Sequence, residues 1–394
     1  MTRAVFTVAV LALLVGGWLS WEPVVPPDVG VGSQPAPPKA RGCSARVERD
    51  LAGSLGVATA EGRPVPVLVV GAPADTVEPL EGVVALTDLI PGGLAGILLD
   101  PDTPDTAGVV TQTGIGVAAV TCTPPGLGRL VAVGASTRNE EDLELRLINP
   151  YAVDAVVEIG TVSENGLDTA SELASVIVPA RTVVTRDLDN LLPLRDSLDV
   201  EATVVSGAVH VELVQTGAGD TMIIEGVAPA EELWLAVPAL DVPAVAEVFN
   251  PNPAPTEVTV ESVGGDVVFS ETLPATSLVQ VDVTGLGGVR VAAAGPIGAG
   301  LIFEADGIRA GAPGVGAAAR WLLPGVETVW VLNPSDVAVS VVVDGSPGVE
   351  IEPGELAALT GTFVDATGDV VAYGTVGDGR GLVAGWSLPD AADR

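Results

Sequence analysis

The chain has 394 residues, with 51 Asp and Glu against 17 Lys and Arg, a formal net charge of −34 and one histidine. That balance argues against nucleic acid and anionic lipid surfaces as partners, since binding phosphates demands clustered cations. A single histidine also removes His-based zinc centres by count.

Hydrophobic residues make up 48% of the chain, yet aromatics only 3%, and Gly (48) and Pro (32) are abundant. Val-rich sequence punctuated by Gly and Pro is a β signature, because branched side chains fit the pleated surface while Gly and Pro make the turns. The expected class is all-β, and the length suits two to four small domains.

Arg3 precedes residues 4–20, an uncharged apolar run followed by Trp18, Trp21 and Glu22. Residues 1–22 read as a signal anchor, a transmembrane helix with Arg3 on the inside and the two Trp at the interface. The alternative is signal cleavage and secretion, but no small-x-small site follows the run. Residues 23–42 hold Pro at 23, 26, 27, 35, 37 and 38, an extended tether. Everything beyond it is expected outside the cytoplasm.

Cys43 and Cys122 are the two cysteines. An exported chain with an even count pairs them, and closing so long a loop stabilises by roughly 4–5 kcal/mol on the chain-entropy account.

Three stretches then repeat one pattern, a hydrophobic strand running into Asn-Pro: 145–150 (LRLINP), 245–251 (VAEVFNP) and 329–334 (VWVLNP). Proline cannot donate to a sheet ladder, so Pro150, Pro251 and Pro334 end their strands, while Asn149, Asn250 and Asn333 bond the following backbone and start a turn. Alternating runs follow, such as 337–343 (VAVSVVV), as half-buried antiparallel strands require. Trp–Pro markers separate the units at 234–238, 321–324 and 386–389. Trp234, Trp321 and Trp386 are expected to cap cores of small residues, with an exposed ligand platform as the alternative.

Residues 64–123 read as a diverged relative, with strands at 65–71, 83–89, 95–99, 108–113 and 116–122 and Leu99-Asp100-Pro101 in the place of Asn-Pro. The expected organisation is a β unit with the disulfide over 43–128, then β repeats over 129–230, 231–318 and 319–394. Two architectures fit. Tandem antiparallel β-sandwich-like repeats are favoured by unit length and strand number. A propeller-like ring of four-stranded blades is the alternative, with the terminal 386–389 segment closing against the first blade.

Catalytic options are few. His210 lies in 208–214 (AVHVELV), where Val209, Val211 and Leu213 share one face and His210 with Glu212 take the other, half-exposed one. No nucleophile elbow, dinucleotide fingerprint or phosphate-binding loop occurs. Carboxylates remain: Asp100, Asp102 and Asp105, and Asp187 and Asp189 beside Asn190, place oxygens of the kind calcium takes. Neither set has the Gly and terminal Glu of an EF-hand loop, and no cofactor is otherwise expected.

Together, the N-terminal span, Cys122 followed by Pro124-Pro125-Gly126, the strand-like 129–134, the Asn-Pro motifs and the Trp–Pro markers resemble an actinobacterial family of exported proteins, domain of unknown function 5719. The resemblance covers most of the chain from Cys43 onward. It implies an envelope location and no assigned activity, with members often met near cell-wall glycosyltransferase genes. It supplies no catalytic residues, and the first repeat departs from the pattern in lacking a clear Trp marker.

The expected function is therefore a membrane-anchored, non-catalytic binding or scaffold module of the bacterial envelope, with an envelope protein or a cell-wall glycan as partner. The alternatives are a carboxylate-dependent hydrolase acting on envelope polysaccharide and a calcium-stiffened adhesin or stalk.

Overall fold

The computed structural model describes residues 41–48, 52–71, 76–100, 105–114, 116–217, 220–240, 242–305, 308–377 and 380–388. The anchor expected over 1–22 and the tether up to residue 40 lie outside them. Among the described residues, no helix is long and apolar enough to cross a membrane.

Nearly everything described is antiparallel strand. Alternation explains it locally: in Val339–Val343 the first, third and fifth residues are buried, while Ser340 points to solvent. The first two sheets run Arg41–Val47, Gly93–Leu99, Val65–Val70, Thr76–Leu80, and Gly82–Ala85, Ala52–Thr59, Thr106–Thr113, Val117–Thr121. Leu55, Val67, Ile97 and Val110 fill the space between them, a sandwich-like arrangement. Cys43 and Cys122 are bonded within this core. The segment 83–89, read as one strand, divides into Gly82–Ala85 and a one-turn helix, Leu86–Leu89, whose Leu86 turns into the core.

The same strand order returns three times. The second pair of sheets runs Gly166–Asp168, Ala155–Ser163, Leu198–Ser206, Arg129–Ala135, and Thr182–Asp187, Asp142–Asn149, His210–Gly217, Asp220–Glu225. In the third pair, one long strand, Gly288–Ala305, serves both sheets. Its first part pairs with Ala230–Ala236 and Thr256–Ser262, and its second part with Ala244–Asn250 and Ile308–Pro313. In the fourth, Phe363–Val376 does likewise, against Ala318–Leu322 and Val339–Val343, then Thr328–Leu332 and Gly381–Ala384. In the first pair the path is broken between Leu99 and Thr106, and in the second at Gly207, where φ is +76° and a Cβ would stand 2.8 Å from Ala155 Cβ.

The four pairs close on themselves. The last strand of each, Val117–Thr121, Asp220–Glu225, Ile308–Pro313 and Gly381–Ala384, packs on the next, and the fourth packs on the first. Apolar clusters fill the seams: Leu98 with Ile148, Val133 with Phe249, Tyr373 with the third core, and Ala119 with Val383. The molecule thus combines sandwich-like units with a ring.

One expectation about that ring is corrected. Trp386–Ser387 does not add to a strand of the first unit; it pairs with Trp321 and Leu322 of its own sheet. The chain leaving the earlier units crosses to its own first strand in the same way, at Thr123 with Gly42, Val227 with Val131, and Val315 with Trp234. The terminal segment nonetheless closes against the first unit by packing: Leu388 meets Ala107, and Trp386 packs with Ala58 and Ala60 against the same cluster and carries Arg41.

Candidate binding cavity at the ring axis

The Asn-Pro motifs are structural anchors. Asn149 is fully buried; its Oδ1 accepts from Tyr151 N (2.9 Å), and its Nδ2 donates to Val153 O (2.8 Å) and Val178 O (2.9 Å). Asn250 repeats this with Asn252 N, Ala254 O and Pro274 O, and Asn333 with Ser335 N, Val337 O and Ile351 O. Each amide bonds its own turn, as its position before Pro implies, and also ties that turn to a second strand. In the first unit the topologically equivalent strand is Ala52–Thr59, not the strand ending at Leu99. Thr59 therefore holds the anchor position, and its Oγ1 accepts from Arg63 N at 2.7 Å. Asp100-Pro101 ends a different strand of the order, which corrects its assignment as the fourth Asn-Pro.

The carboxylates singled out for calcium are engaged locally. Asp187 caps the short helix Leu188–Leu191 by accepting from Asn190 N (3.2 Å), and Asp189 accepts from Leu143 N (3.0 Å). They share a hydrogen bond, with Asp189 pushed up chiefly by burial and Asp187 held down chiefly by that bond. Asp105 sits at φ +53°, buried near Arg41. Asp100 is described, and Asp102 lies outside the described residues. Among the described residues, no cluster of three or more His, Cys, Asp or Glu is arranged to hold a metal ion.

The expectation of a half-exposed His210 and Glu212 is corrected: they are 3% and 2% exposed. The sheet face that would be wet in a lone unit is covered by the first strand of the preceding unit, with Gly42 beside the imidazole and Ser44 beside the carboxylate. Burial pushes the histidine down to about 3, so it is neutral. Glu212 accepts from Ser44 N at 2.8 Å and from Ser44 Oγ, and burial still outweighs these bonds and raises it.

The next seam holds a second buried acid set. Asp199 and Glu247 are adjacent and fully buried. Asp199 Oδ1 accepts from Gly134 N (2.9 Å), and Glu247 Oε2 accepts from Gln280 Nε2 (2.6 Å). Their remaining oxygens, Asp199 Oδ2 and Glu247 Oε1, are buried with no N–H or O–H partner among the described residues, and burial followed by the Glu247 charge lifts Asp199 well above the usual range. At the axis, Asp220 joins three inner strands by accepting from Val117 N and Arg309 N, each at 3.1 Å.

The Trp markers take different places. Trp321 is buried, its Nε1 donating to Ala318 O (2.9 Å) and Val370 O (3.0 Å). Trp234 is half-buried and donates to Glu232, while half-buried Trp386 carries Arg41 4.4 Å from its ring centroid.

Trp321 and Trp386 also line a cavity of about 480 Å³ on the ring axis. Its walls come from the three connections between units and the final segment: Pro124 and Pro125, Val227 and Ala230, Val315 and Ala317, and Gly385 and Trp386. The one carboxyl buried in this wall is Glu225, 7% exposed, at the end of its inner strand. Burial, and then the charge of Glu212 directly across the ladder, hold its proton well above the usual carboxylate range. Glu232, the other lining acid, is clamped by Arg290 Nε (2.9 Å) and Nη2. The arrangement offers an apolar chamber with one protonated acid and no nucleophile–base pair.

The sequence reading missed Glu225, Glu212, Asp199 and Glu247. The available signal was an acid inside a Val/Ile/Leu strand, as in 220–225 (DTMIIE), where a solvated face is the simplest explanation until the ring covers it.

The profile of a family of unknown function (DUF5719) matches residues 101–286, from the loop after Gly93–Leu99 into the third pair of sheets. No curated protein matches the chain. A solved structure of a biofilm associated protein (BSP domain) aligns over 89% of this chain and 92% of that one, at 8% identity and a TM-score of 0.17. At that score the superposition carries no argument for fold or role.

Proposed function

We propose that the chain is a non-catalytic binding or scaffold module of the bacterial cell envelope. Residues 1–22 anchor it in the membrane, and the β ring stands outside the cytoplasm. The observation carrying this reading is the axial cavity, assembled from the connections between units and lined by one buried acid, Glu225. A hydrolase acting on glycans would need two acids facing one cleft, whereas Glu212 is consumed by Ser44 and Glu232 by Arg290. The cystine suits an oxidising compartment, which supports export. An actinobacterial source follows only from the resemblance in the motifs.

The test is affinity capture from solubilised envelopes with the full chain as bait, the captured proteins and glycans being identified by mass spectrometry. A reproducible envelope protein or cell-wall glycan is the expected result. A clean blank with folded bait overturns the binding reading. Removal of residues 1–22 is expected to release the chain from membranes, and continued membrane association would overturn the anchor.

A further inference from the structure

We propose that the axial cavity binds a compact organic cation, an apolar body bearing an ammonium group that pairs with Glu225. The inference rests on the binding reading above and names the ligand chemistry of that site.

The Glu225 carboxyl makes no hydrogen bond to any described residue, although Glu225 is more than nine-tenths buried and lines the cavity. A buried carboxyl without a partner forfeits its hydration with nothing in return. Other acids near the axis are bonded to neighbouring units: Glu212 through Ser44, and Asp220 through Val117 and Arg309. Glu225 is the acid left facing open space.

The surroundings select the sign of its partner. Among the described residues, no Lys or Arg lines the cavity. The nearby Arg290 is held between Glu232 and Glu261, and Arg41 is stacked on Trp386. Glu212 stands directly across the ladder from Glu225, and the second lining carboxylate, Glu232, is already clamped by Arg290. An anion would be repelled, and a purely apolar guest would leave the acid unpaired. A cation takes up the carboxylate as its proton leaves for solvent, and Leu130, Leu233 and Val315 receive the apolar body. The volume of about 480 Å³ lies within the roughly 300–1,000 Å³ usual for small-molecule sites.

The experiment is calorimetric titration of the full chain in non-ionic detergent at pH 7 with benzylammonium, benzyl alcohol and benzoate. Benzylammonium is expected to bind with proton release, seen as a dependence of the heat on the buffer's ionisation enthalpy. The isosteric alcohol should bind about tenfold more weakly or worse, as loss of a charge-assisted bond implies. Benzoate should not bind. Glu225→Gln should erase the advantage of the ammonium over the alcohol without lowering the melting temperature. Ala317→Leu, which fills the chamber and leaves Glu225 intact, should abolish binding of both probes.

Equal affinity for ammonium and alcohol, an unaffected Glu225→Gln chain, or no binding of any probe overturns the proposal, as does binding that survives Ala317→Leu. Envelope capture repeated with Glu225→Gln separates the two readings. A partner still captured by a chain that fails these titrations leaves the scaffold function standing and removes the cation site.

Discussion

At the scale of single residues, the three buried asparagines are the firmest link from sequence to stability. Asn333 Nδ2 feeds two carbonyls, Ile351 O and Val337 O, the second of which also accepts from Ser335 Oγ at 2.9 Å. Asn333→Ala leaves Ile351 O and Ser335 N without that side-chain partner, and should cost about 1–3 kcal/mol in urea unfolding, the cost of orphaned buried polar groups. A midpoint unchanged from the parent would refute the anchor role. Half of this was legible: Asn before Pro announces a bond to its own turn. The bond to Ile351, 18 residues on, was not, because no local spacing reveals which strand folds back over the amide. His210 failed for a related reason, since period-two alternation assigns a face but does not say what covers that face.

Asp199 makes a pH prediction. Its folded pKa is raised, burial first and Glu247 second, so it binds its proton more tightly folded than unfolded. Its stabilising share is complete below the unfolded value, near 3.8, and is lost as pH rises through the folded one. Glu225 and Glu212 act in the same direction. His210, lowered to about 3 by burial, acts oppositely: its share is complete above 6.5 and fades as pH falls toward 3. Above pH 6.5 the His210 share is complete, so a further rise in pH acts on these groups only through the raised acids, and its sign is a fall in melting temperature. Asp199→Asn, which keeps a donor for Glu247 and cannot ionise, should flatten that slope. A variant slope equal to the parent's would show that the acid pair does not govern it.

At the scale of elements, every seam uses one device: the strand before the last of one unit (His210–Gly217 in the second) lays its outer face on the first strand of the preceding unit. The filling differs each time. His210 and Glu212 meet Gly42 and Ser44, Gly298 and Gly300 meet Val131 and Val133, Tyr373 meets Trp234, and Ala107 meets Leu322. At Gly300 a Cβ would lie 2.6 Å from Val133 O, a backbone atom that cannot move aside alone. Gly300→Val should therefore force the seam apart and cost about 1–3 kcal/mol, the range for overpacked contacts. Denaturant titration checks it; a loss no larger than that of Gly316→Val, where a Cβ meets nothing within 4 Å, would contradict it.

Strand existence was readable from the Val-rich alternation, but strand continuity was not. Gly295-Pro296 reads as a turn between two strands, whereas Gly288–Ala305 passes through it unbroken. Proline is tolerated there because the strand changes sheets at that point. Its missing N–H falls between the pairings of Ala293 with Val258 and of Gly298 with Phe249.

At the scale of the whole molecule, four repeats of one strand order can form an open row or a ring, and local sequence is silent between them because each unit closes a similar core in either. What distinguishes them is the seam between the fourth unit and the first. There Thr121 Oγ1 donates to Ala384 O, Val109 and Ala119 pack on Val376 and Val383, and Gly56 admits Pro324 O where a Cβ would stand 2.7 Å away. In a row the terminal units have one neighbour each, and a lesson from stacked repeats is that end units then loosen first. In the ring each unit has two neighbours, so unfolding should be a single transition seen alike by Trp fluorescence and β-sheet circular dichroism. Gly56→Leu wedges open only the closing seam. It should convert the ring into a row, splitting that transition, and amide exchange should rise first in Ala318–Leu322 and Gly381–Ala384 while the strands around Asn149 stay protected. Uniformly faster exchange across all four units would mean that cooperativity does not depend on closure. An unchanged exchange pattern would mean that the fourth unit does not bear on the first in solution.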